Sequence, residues 1–348
     1  MGRWVFVLLL CSFVQGFVPL VAQSRPSPLS HTWRQRCAII GASSSSPISS
    51  SSPSPAHPPS SLADAAEQVK AVSPGAHMNI GGRALNLVGL WFGFMTFFWA
   101  IVVYPVLLSA WLYSLLFDRR RCSAVDWTIH FWAKVTMLCC FTKPRVSGLE
   151  NLQGIAPTEP LMFIPNHTSF LDIFTLSGFV PRRLKYVSKI EILRVPLIGW
   201  AMQMARHIAI RRSDRRSQMQ TFKDAVESLR AGNGVVTFAE GTRSPDGALR
   251  KFKKGPFKMT SKAECRIVPV SICDMHRWMP PTTALLPIGF PGSAGEIKIH
   301  PPVPTKGRDE EEILSDVFGA INGGLPAPQQ FKGGGDPPTA RRVGRMCG

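Results

Sequence analysis

A histidine and an aspartate five residues apart are the strongest candidates for chemistry in this 348-residue chain. His167 and Asp172 follow the apolar run 161–164 and Pro165. In a continuous helix, side chains five residues apart point about 140° away from each other, so His167 must lie in the turn before the helix. With Ser169 as the N-cap, Asp172 can orient one imidazole nitrogen while the other accepts a proton from a hydroxyl. The same residues also fit a plain capping box without a catalytic role.

A second candidate segment is Glu240-Gly241-Thr242-Arg243, which follows the apolar run 235–238. Ligands of open α/β sheets bind at the carboxyl ends of the strands, where this segment is expected to lie. A guanidinium such as that of Arg243 suits a bidentate contact with phosphate. The alternative is an ordinary β-turn with a solvated arginine.

Short β-type runs alternate with helical patterns in the second half of the chain. Strands are predicted at Leu161–Ile164, Leu184–Ser188, His207–Ile210, Val235–Phe238, Ile267–Ile272 and Glu296–Ile299. Helices are predicted at Ser169–Gly178, Glu191–Met204, Asp214–Arg230 and Asp309–Asn322. This alternation predicts an α/β fold, with a layered, largely parallel sheet flanked by helices.

An apolar region precedes the sheet. The 34 residues between Arg83 and Asp118 carry no formal charge, which is too long for one upright membrane span, and Pro105 can break or kink the helix. In the next segment, Ser123–Phe141, a polar stripe lies opposite an apolar one; the stripes consist of Asp126, His130 and Lys134, and of Trp127, Phe131, Val135 and Leu138. We expect a membrane-inserted two-helix hairpin in one leaflet. A transmembrane helix followed by an amphipathic helix, or buried helices of a soluble domain, are the alternatives.

The charge of the chain points to an anionic partner. Forty Lys and Arg against 22 Asp and Glu give a net charge of +18, and residues 182–262 alone hold 19 basic and 6 acidic residues. A membrane surface, a phosphorylated substrate or nucleic acid fits such a balance. Motifs for a serine hydrolase, a nucleotide-binding loop or a zinc site are missing from the sequence.

The ends of the chain are unlike the centre. Residues 1–22 have the layout of a signal peptide, and residues 23–78 are Ser-rich, Arg-bearing and almost free of acidic residues, as in a transit peptide. Together they resemble the bipartite presequence of algae with complex plastids; a signal peptide followed by a disordered luminal linker is the alternative. The Gly- and Pro-rich tail 323–348 is predicted to be disordered.

Four motifs in this order resemble those of the glycerolipid acyltransferase family, of the lysophosphatidic acid acyltransferase type. Residues 166–172 are similar to its H-x-x-x-x-D motif, and residues 207–212 to the second motif, with Arg212 at the arginine position. Residues 238–244 are similar to the third motif, usually F-P-E-G-T-R-S, with Ala239 in place of the proline. Ile267-Val268-Pro269-Val270 resembles the fourth. The match covers roughly residues 146–304, within a predicted acyltransferase domain at 142–322 that follows the membrane segment 79–141.

The resemblance implies acyl transfer from a thioester to the sn-2 hydroxyl of lysophosphatidic acid, without an acyl-enzyme. It implies His167 as the general base and Asp172 as the residue that orients it. It implies that the glycerol phosphate is held by Arg212, Glu240, Gly241, Thr242 and Arg243. It implies that Asn166 either positions the loop or donates a hydrogen bond to the developing oxyanion.

The implied partners are a membrane lipid surface, lysophosphatidic acid, and acyl carrier protein or CoA as the carrier of the donor acyl group. No further cofactor, metal or nucleic acid is implied. A plastid membrane is the expected location and the endoplasmic reticulum membrane the alternative. Glycerol-3-phosphate or another lysophospholipid is an alternative acceptor, and a non-catalytic lipid-binding protein is an alternative of another class.

Overall fold

The computed structural model describes residues 77–80, 83–280, 287–289 and 295–333. The signal-like segment 1–22, most of the transit-like segment 23–78 and the end of the tail lie outside the described residues. Within them the chain begins with a two-stranded antiparallel sheet, β1 (His77–Ile80) and β2 (Arg83–Asn86). Strand β1 therefore includes the last two residues of the segment predicted to be disordered.

Two helices come next, α1 (Leu87–Phe117) and α2 (Ser123–Cys139). The remaining strands are β3 (Arg145–Ser147), β4 (Leu161–Pro165), β5 (Leu184–Lys189), β6 (Ile208–Ile210), β7 (Gly234–Val236), β8 (Arg266–Cys273) and β9 (Glu296–Ile299). The remaining helices are α3 (Leu171–Phe179), α4 (Ile198–Met204), α5 (Arg215–Arg230), α6 (Gly255–Ala263) and α7 (Glu310–Gly324).

Seven strands form one sheet in the order β3-β9-β8-β4-β7-β5-β6, and only the β8–β9 pair is antiparallel. Strand β4 is central, with Met162 opposite Val235 of β7 and Ile267 of β8. The predicted layered, largely parallel sheet is confirmed, and all six predicted strands occur within two residues of their expected ends. Strand β3 and helix α6 were not predicted.

Side chains alternate along β4 and so supply two cores. Phe163 packs in the cluster that holds Met137 of α2 and Phe174 of α3. Met162 packs in the cluster on the other face, which holds helices α5, α6 and α7. The membrane-type helices α1 and α2 thus cover one face of the sheet, and the charged helices cover the other.

The predicted helix Glu191–Met204 is divided in the structure. A 3-10 turn at Ile192–Arg194 ends at Val195, which is extended, and α4 starts only at Ile198. Pro196 explains the break, because a proline pushes the residue before it out of the helical conformation.

Helix α1 decides a point that the sequence left open for the apolar segment. It is one continuous helix of 31 residues that passes through Pro105. A proline removes a single helical hydrogen bond, and here the helix continues on both sides of it. By length and composition it is the one helix in the described ranges that could cross a membrane.

Helices α1 and α2 pair antiparallel. The indole of Trp132 donates to the carbonyl of Thr96 (3.1 Å), and that of Trp91 to the carbonyl of Cys139 (3.0 Å). In α2, Asp126 is buried towards the sheet, whereas Trp127 and Phe131 are 47% and 54% exposed. Large aromatic side chains on the outer face are the reverse of what a soluble helix shows, which argues against core helices of a soluble domain.

The tail is ordered beyond the predicted boundary at Gly323. A 3-10 turn at Ala327–Gln329 follows α7, Leu325 and Gln329 are buried, and the Phe331 ring lies 5.5 Å from that of Phe318. The part of the predicted disordered tail up to residue 333 is therefore packed on the domain. Apolar contacts of Leu325 and Phe331, together with the buried Gln329, hold a segment whose overall composition suggested disorder.

A buried ion pair joins α2 to the sheet. Lys185 of β5 lies 2.7 Å from the carboxylate of Asp126 and donates to the carbonyl of Ala205 (2.6 Å), and both side chains are almost fully buried. Removing one partner of such a pair leaves an uncompensated buried charge.

We expect Asp126→Ala to lower the free energy of unfolding by about 3–5 kcal/mol, because Lys185 then stays buried without its carboxylate. Adding Lys185→Met should recover part of that loss. Denaturant unfolding of the purified full chain in detergent measures both values. A single variant as stable as the wild type would contradict the role of this pair.

Candidate active site

The loop between β4 and α3 carries the histidine. Strand β4 ends at Pro165 and α3 begins at Leu171, so His167 lies in the intervening turn, as predicted. Asp172, in the first turn of α3, directs its Oδ2 atom to Nδ1 of His167 at 3.0 Å. The chain reversal at the carboxyl end of the central strand is what brings the two side chains together.

The same oxygen of Asp172 organises the loop backbone. It accepts hydrogen bonds from the N–H groups of Thr168 and Ser169, both at 2.8 Å. Ser169 is not the helix N-cap that the sequence predicted, since α3 starts two residues later; its hydroxyl accepts from Leu171 N–H and donates to the carbonyl of Met279. Capping and histidine orientation, treated as alternatives from the sequence, are performed by one carboxylate.

The second predicted segment holds His167 from the opposite side. The His167 N–H donates to Oε1 of Glu240 (2.6 Å), and the His167 carbonyl accepts from Ser244 N–H (2.8 Å). The imidazole stacks on the ring of Phe238, with 3.8 Å between ring centroids. Backbone and ring of the histidine are therefore both fixed.

The hydrogen bonds define which nitrogen can act as a base. Because Nδ1 faces an acceptor-only carboxylate, we assign the ring proton to Nδ1, which leaves a lone pair on Nε2. No hydrogen bond to Nε2 occurs within the described ranges, and the side chain is 14% exposed while Asp172 is fully buried. An oriented, accessible and unprotonated imidazole nitrogen is suited to general-base chemistry.

Glu240, predicted to hold the acceptor phosphate, is bonded to the backbone of two loops. Its two oxygens accept from the backbone N–H groups of His167 and Arg250, and the residue is buried. Burial raises the pKa of Glu240 to about 8, and these two N–H donors partly oppose that rise. The geometry makes it a support for the histidine loop.

Lys253 lies against the third motif, although the sequence showed it only as one member of a basic cluster. Gly241 has a φ of +75°, and a Cβ atom there would lie 2.7 Å from the ammonium nitrogen of Lys253. The glycine thus admits both the left-handed turn and the lysine. The only sign of this contact in the sequence was that a basic residue follows the third motif by a few positions.

Arg243 lies near the pair with an unused donor. Its Nη1 atom is buried and has no hydrogen-bond partner in the described part of the chain. Burial lowers the pKa of Arg243, and the negative charge of Asp172 partly offsets that effect. Thr242, next to it, is exposed. An unsatisfied buried guanidinium nitrogen is expected to find an acceptor when a ligand binds.

The two other predicted site residues are Asn166 and Arg212. The buried Asn166 side chain pairs with the backbone of Ile272, accepting from its N–H (2.7 Å) and donating to its carbonyl (3.0 Å), so it joins β4 to β8. Arg212 follows the edge strand β6 and is exposed. Strands β5 and β7 separate β6 from β4, which puts Arg212 on the same edge of the sheet but about 14 Å to the side.

Comparisons with known proteins cover the part of the chain that holds this site. Residues 143–273, which include every residue of the pair and of the second loop, match the acyltransferase family model. A chloroplastic 1-acyl-sn-glycerol-3-phosphate acyltransferase of Brassica napus is 37% identical over 181 residues, 52% of either chain. A 1-acyl-sn-glycerol-3-phosphate acyltransferase of Chlamydomonas reinhardtii is 33% identical over 217 residues, 61% of either chain. The chain thus spans roughly half to three fifths of the length of these curated relatives.

A solved structure is similar over a longer stretch. The crystal structure of the 1-acyl-sn-glycerophosphate acyltransferase PlsC from Thermotoga maritima superposes with a TM-score of 0.58 at 28% sequence identity, and the match covers 68% of this chain and 93% of that one. Sequence, fold and site geometry lead to the same group of proteins. Residues 143–273 thus match the acyltransferase family model, and the chain is similar in sequence and fold to 1-acyl-sn-glycerol-3-phosphate acyltransferases.

Proposed function

We propose that this protein transfers a fatty acyl group from a thioester to the sn-2 hydroxyl of lysophosphatidic acid and so forms phosphatidic acid. The observation that carries the proposal is the 3.0 Å pair of His167 with a fully buried Asp172, which leaves Nε2 free. The names of the relatives support this acceptor.

The proposed reaction is a direct transfer. Nε2 of His167 removes the proton of the sn-2 hydroxyl as the oxygen attacks the thioester carbonyl, and the Asp172 carboxylate stabilises the imidazolium that forms. When the tetrahedral intermediate collapses, the C–S bond breaks and the thiolate leaves. The imidazolium returns the proton to the sulfur, so His167 ends the cycle neutral.

Basic side chains beside the pair are proposed to hold the acceptor phosphate. The buried Nη1 of Arg243 offers a donor without a partner in the described structure, and the ammonium of Lys253 lies next to Gly241. Arg212 can contribute only to a ligand that extends along the sheet edge. Glu240, with both oxygens engaged by the backbone, acts on the histidine instead of the lipid.

The proposed setting is a membrane. The exposed apolar side chains of α1 and α2 favour a lipid surface, and the chloroplastic relatives favour a plastid membrane over the endoplasmic reticulum. Acyl carrier protein and CoA both remain candidates for the donor carrier, and insertion of the α1–α2 hairpin into one leaflet stays a prediction.

His167→Ala should reduce acyl transfer to lysophosphatidic acid by at least 10²-fold, since a general base of this kind typically contributes 10²–10⁴-fold. The measurement is phosphatidic acid formation by the full chain in lipid vesicles, with acyl carrier protein and CoA thioesters tested separately. His300→Ala is the matched control, because His300 directly follows strand β9 and its ring bonds Ser271 of β8, not the loop that holds His167. A folded His167→Ala protein with wild-type turnover would refute the proposed base.

Arg243→Ala should raise KM for lysophosphatidic acid about tenfold or more with a smaller change in kcat, because a charged hydrogen bond to phosphate is lost. Arg216→Ala, an exposed arginine at the start of α5, provides the comparison. Running the same assay with glycerol-3-phosphate and other lysophospholipids identifies the acceptor. An unchanged KM for Arg243→Ala would exclude the phosphate contact.

A further inference from the structure

The segment 325–331, here named the C-terminal strap, crosses the domain next to the candidate site. It follows α7, and its two most buried residues are Leu325 and Gln329, with 3% and 1% of their surface exposed. A glutamine this buried is unusual. Its side-chain amide gives up its hydrogen bonds to water, both as donor and as acceptor, and therefore needs partners in the protein. Those partners show what the strap holds.

Gln329 contacts two separate loops. Its backbone carbonyl accepts from the N–H of Leu249 at 2.8 Å. Its side-chain Oε1 accepts from the N–H of Asp274 at 2.9 Å, and its Nε2 lies 3.3 Å from Nδ1 of His276. One residue therefore joins the loop after the third motif to the turn that follows β8.

The first of these loops leads directly to the catalytic histidine. The residue after Leu249 is Arg250, whose N–H donates to Oε2 of Glu240 at 3.1 Å. The other oxygen of Glu240 accepts from His167 N–H at 2.6 Å. Only one peptide unit and one carboxylate stand between the strap and the backbone of His167.

The second loop leads to the same turn from the other side. After the 3-10 turn Met275–Arg277, the carbonyl of Met279 accepts from the hydroxyl of Ser169, two residues beyond His167. The two loops also touch each other, because a Cβ atom on Gly247 would lie 2.6 Å from the His276 ring. Both routes from Gln329 end in the residues that set the position of the imidazole.

We propose that Gln329 is a positioning residue for His167 and that the C-terminal strap is part of the working active site. The strap contributes no group that reaches the reacting atoms. It fixes the two loops whose hydrogen bonds determine where His167 and Ser169 lie, and displacement of a reacting group by about 1 Å can cost on the order of 10²-fold in rate. The rate consequence rests on the proposed acyl transfer, whereas the positioning itself does not.

The test compares Gln329→Ala with Gln330→Ala in the full chain. Gln330 is the matched control, because its side chain donates only to the carbonyl of Leu325 within the strap. Hydrogen exchange followed by mass spectrometry reports on the amides of residues 166–172 and 245–250, and kinetics give kcat and KM for lysophosphatidic acid. Gln329→Glu, which keeps the acceptor for Asp274 N–H, serves as the conservative variant.

Gln329→Ala removes the side-chain contacts with Asp274 and His276 but keeps the carbonyl that accepts from Leu249 N–H. It should therefore speed exchange chiefly in residues 166–172 and lower kcat about tenfold or more, with KM changed less than about threefold. Gln330→Ala should resemble the wild type, and Gln329→Glu should recover part of the loss. Equal exchange in Gln329→Ala and Gln330→Ala would overturn the inference, and so would a loss of kcat confined to temperatures at which Gln329→Ala unfolds. If the wild type transfers no acyl group, the proposed function fails while the exchange result still decides the role of the strap.

Discussion

The candidate site depends on one carboxylate oxygen. Oδ2 of Asp172 accepts from the imidazole of His167 and from two consecutive backbone N–H groups, those of Thr168 and Ser169. These three bonds shape the turn between β4 and α3 and set the direction of the ring at the same time. A change at this oxygen therefore alters both the loop conformation and the chemistry that the loop presents.

The His167–Asp172 pair has an apolar core and a basic side chain among its neighbours. Phe238, on which the His167 ring stacks, packs against the core cluster that also contains Phe92 of α1 and Met137 of α2. The pair thus borders the face of the sheet that the apolar helices cover. The buried Nη1 of Arg243, which has no hydrogen-bond partner among the described residues, is close enough to interact electrostatically with Asp172. Such an arrangement suits an amphipathic acceptor with its acyl chain towards lipid and its phosphate towards the basic loop.

Local patterns were good predictors wherever local physics decides the structure. The apolar runs predicted the strands because β4, β7 and β8 are buried on both faces, and the spacing of His167 and Asp172 required a turn before the helix. The role of Glu240 was not predictable in this way. Its partners, His167 and Arg250, lie in different segments, and only the fold shows that backbone groups occupy both oxygens.

The C-terminal strap and α1 depend on contacts that composition and single residues do not show. Gly and Pro content predicted disorder from Gly323, yet the apolar positions Leu325 and Phe331 anchor the segment to the domain. Composition is an average over the whole segment, so it does not show that these two side chains pack against the core. In α1, Pro105 allowed either a break or a kink, and the sequence did not show that α2 packs against this helix. Neighbouring helices stabilise a helix that contains proline, and α1 continues through Pro105.

The most direct test of the account is the single-turnover rate of acyl transfer by Asp172→Asn. Asparagine can keep an oxygen in the place of Oδ2 and hence the bonds to Thr168 and Ser169, while the charge that supports the imidazolium is lost. We expect a folded protein whose transfer step is slower by on the order of 10²–10⁴-fold. A rate within about threefold of the wild type would contradict it, because His167 would then work without its carboxylate.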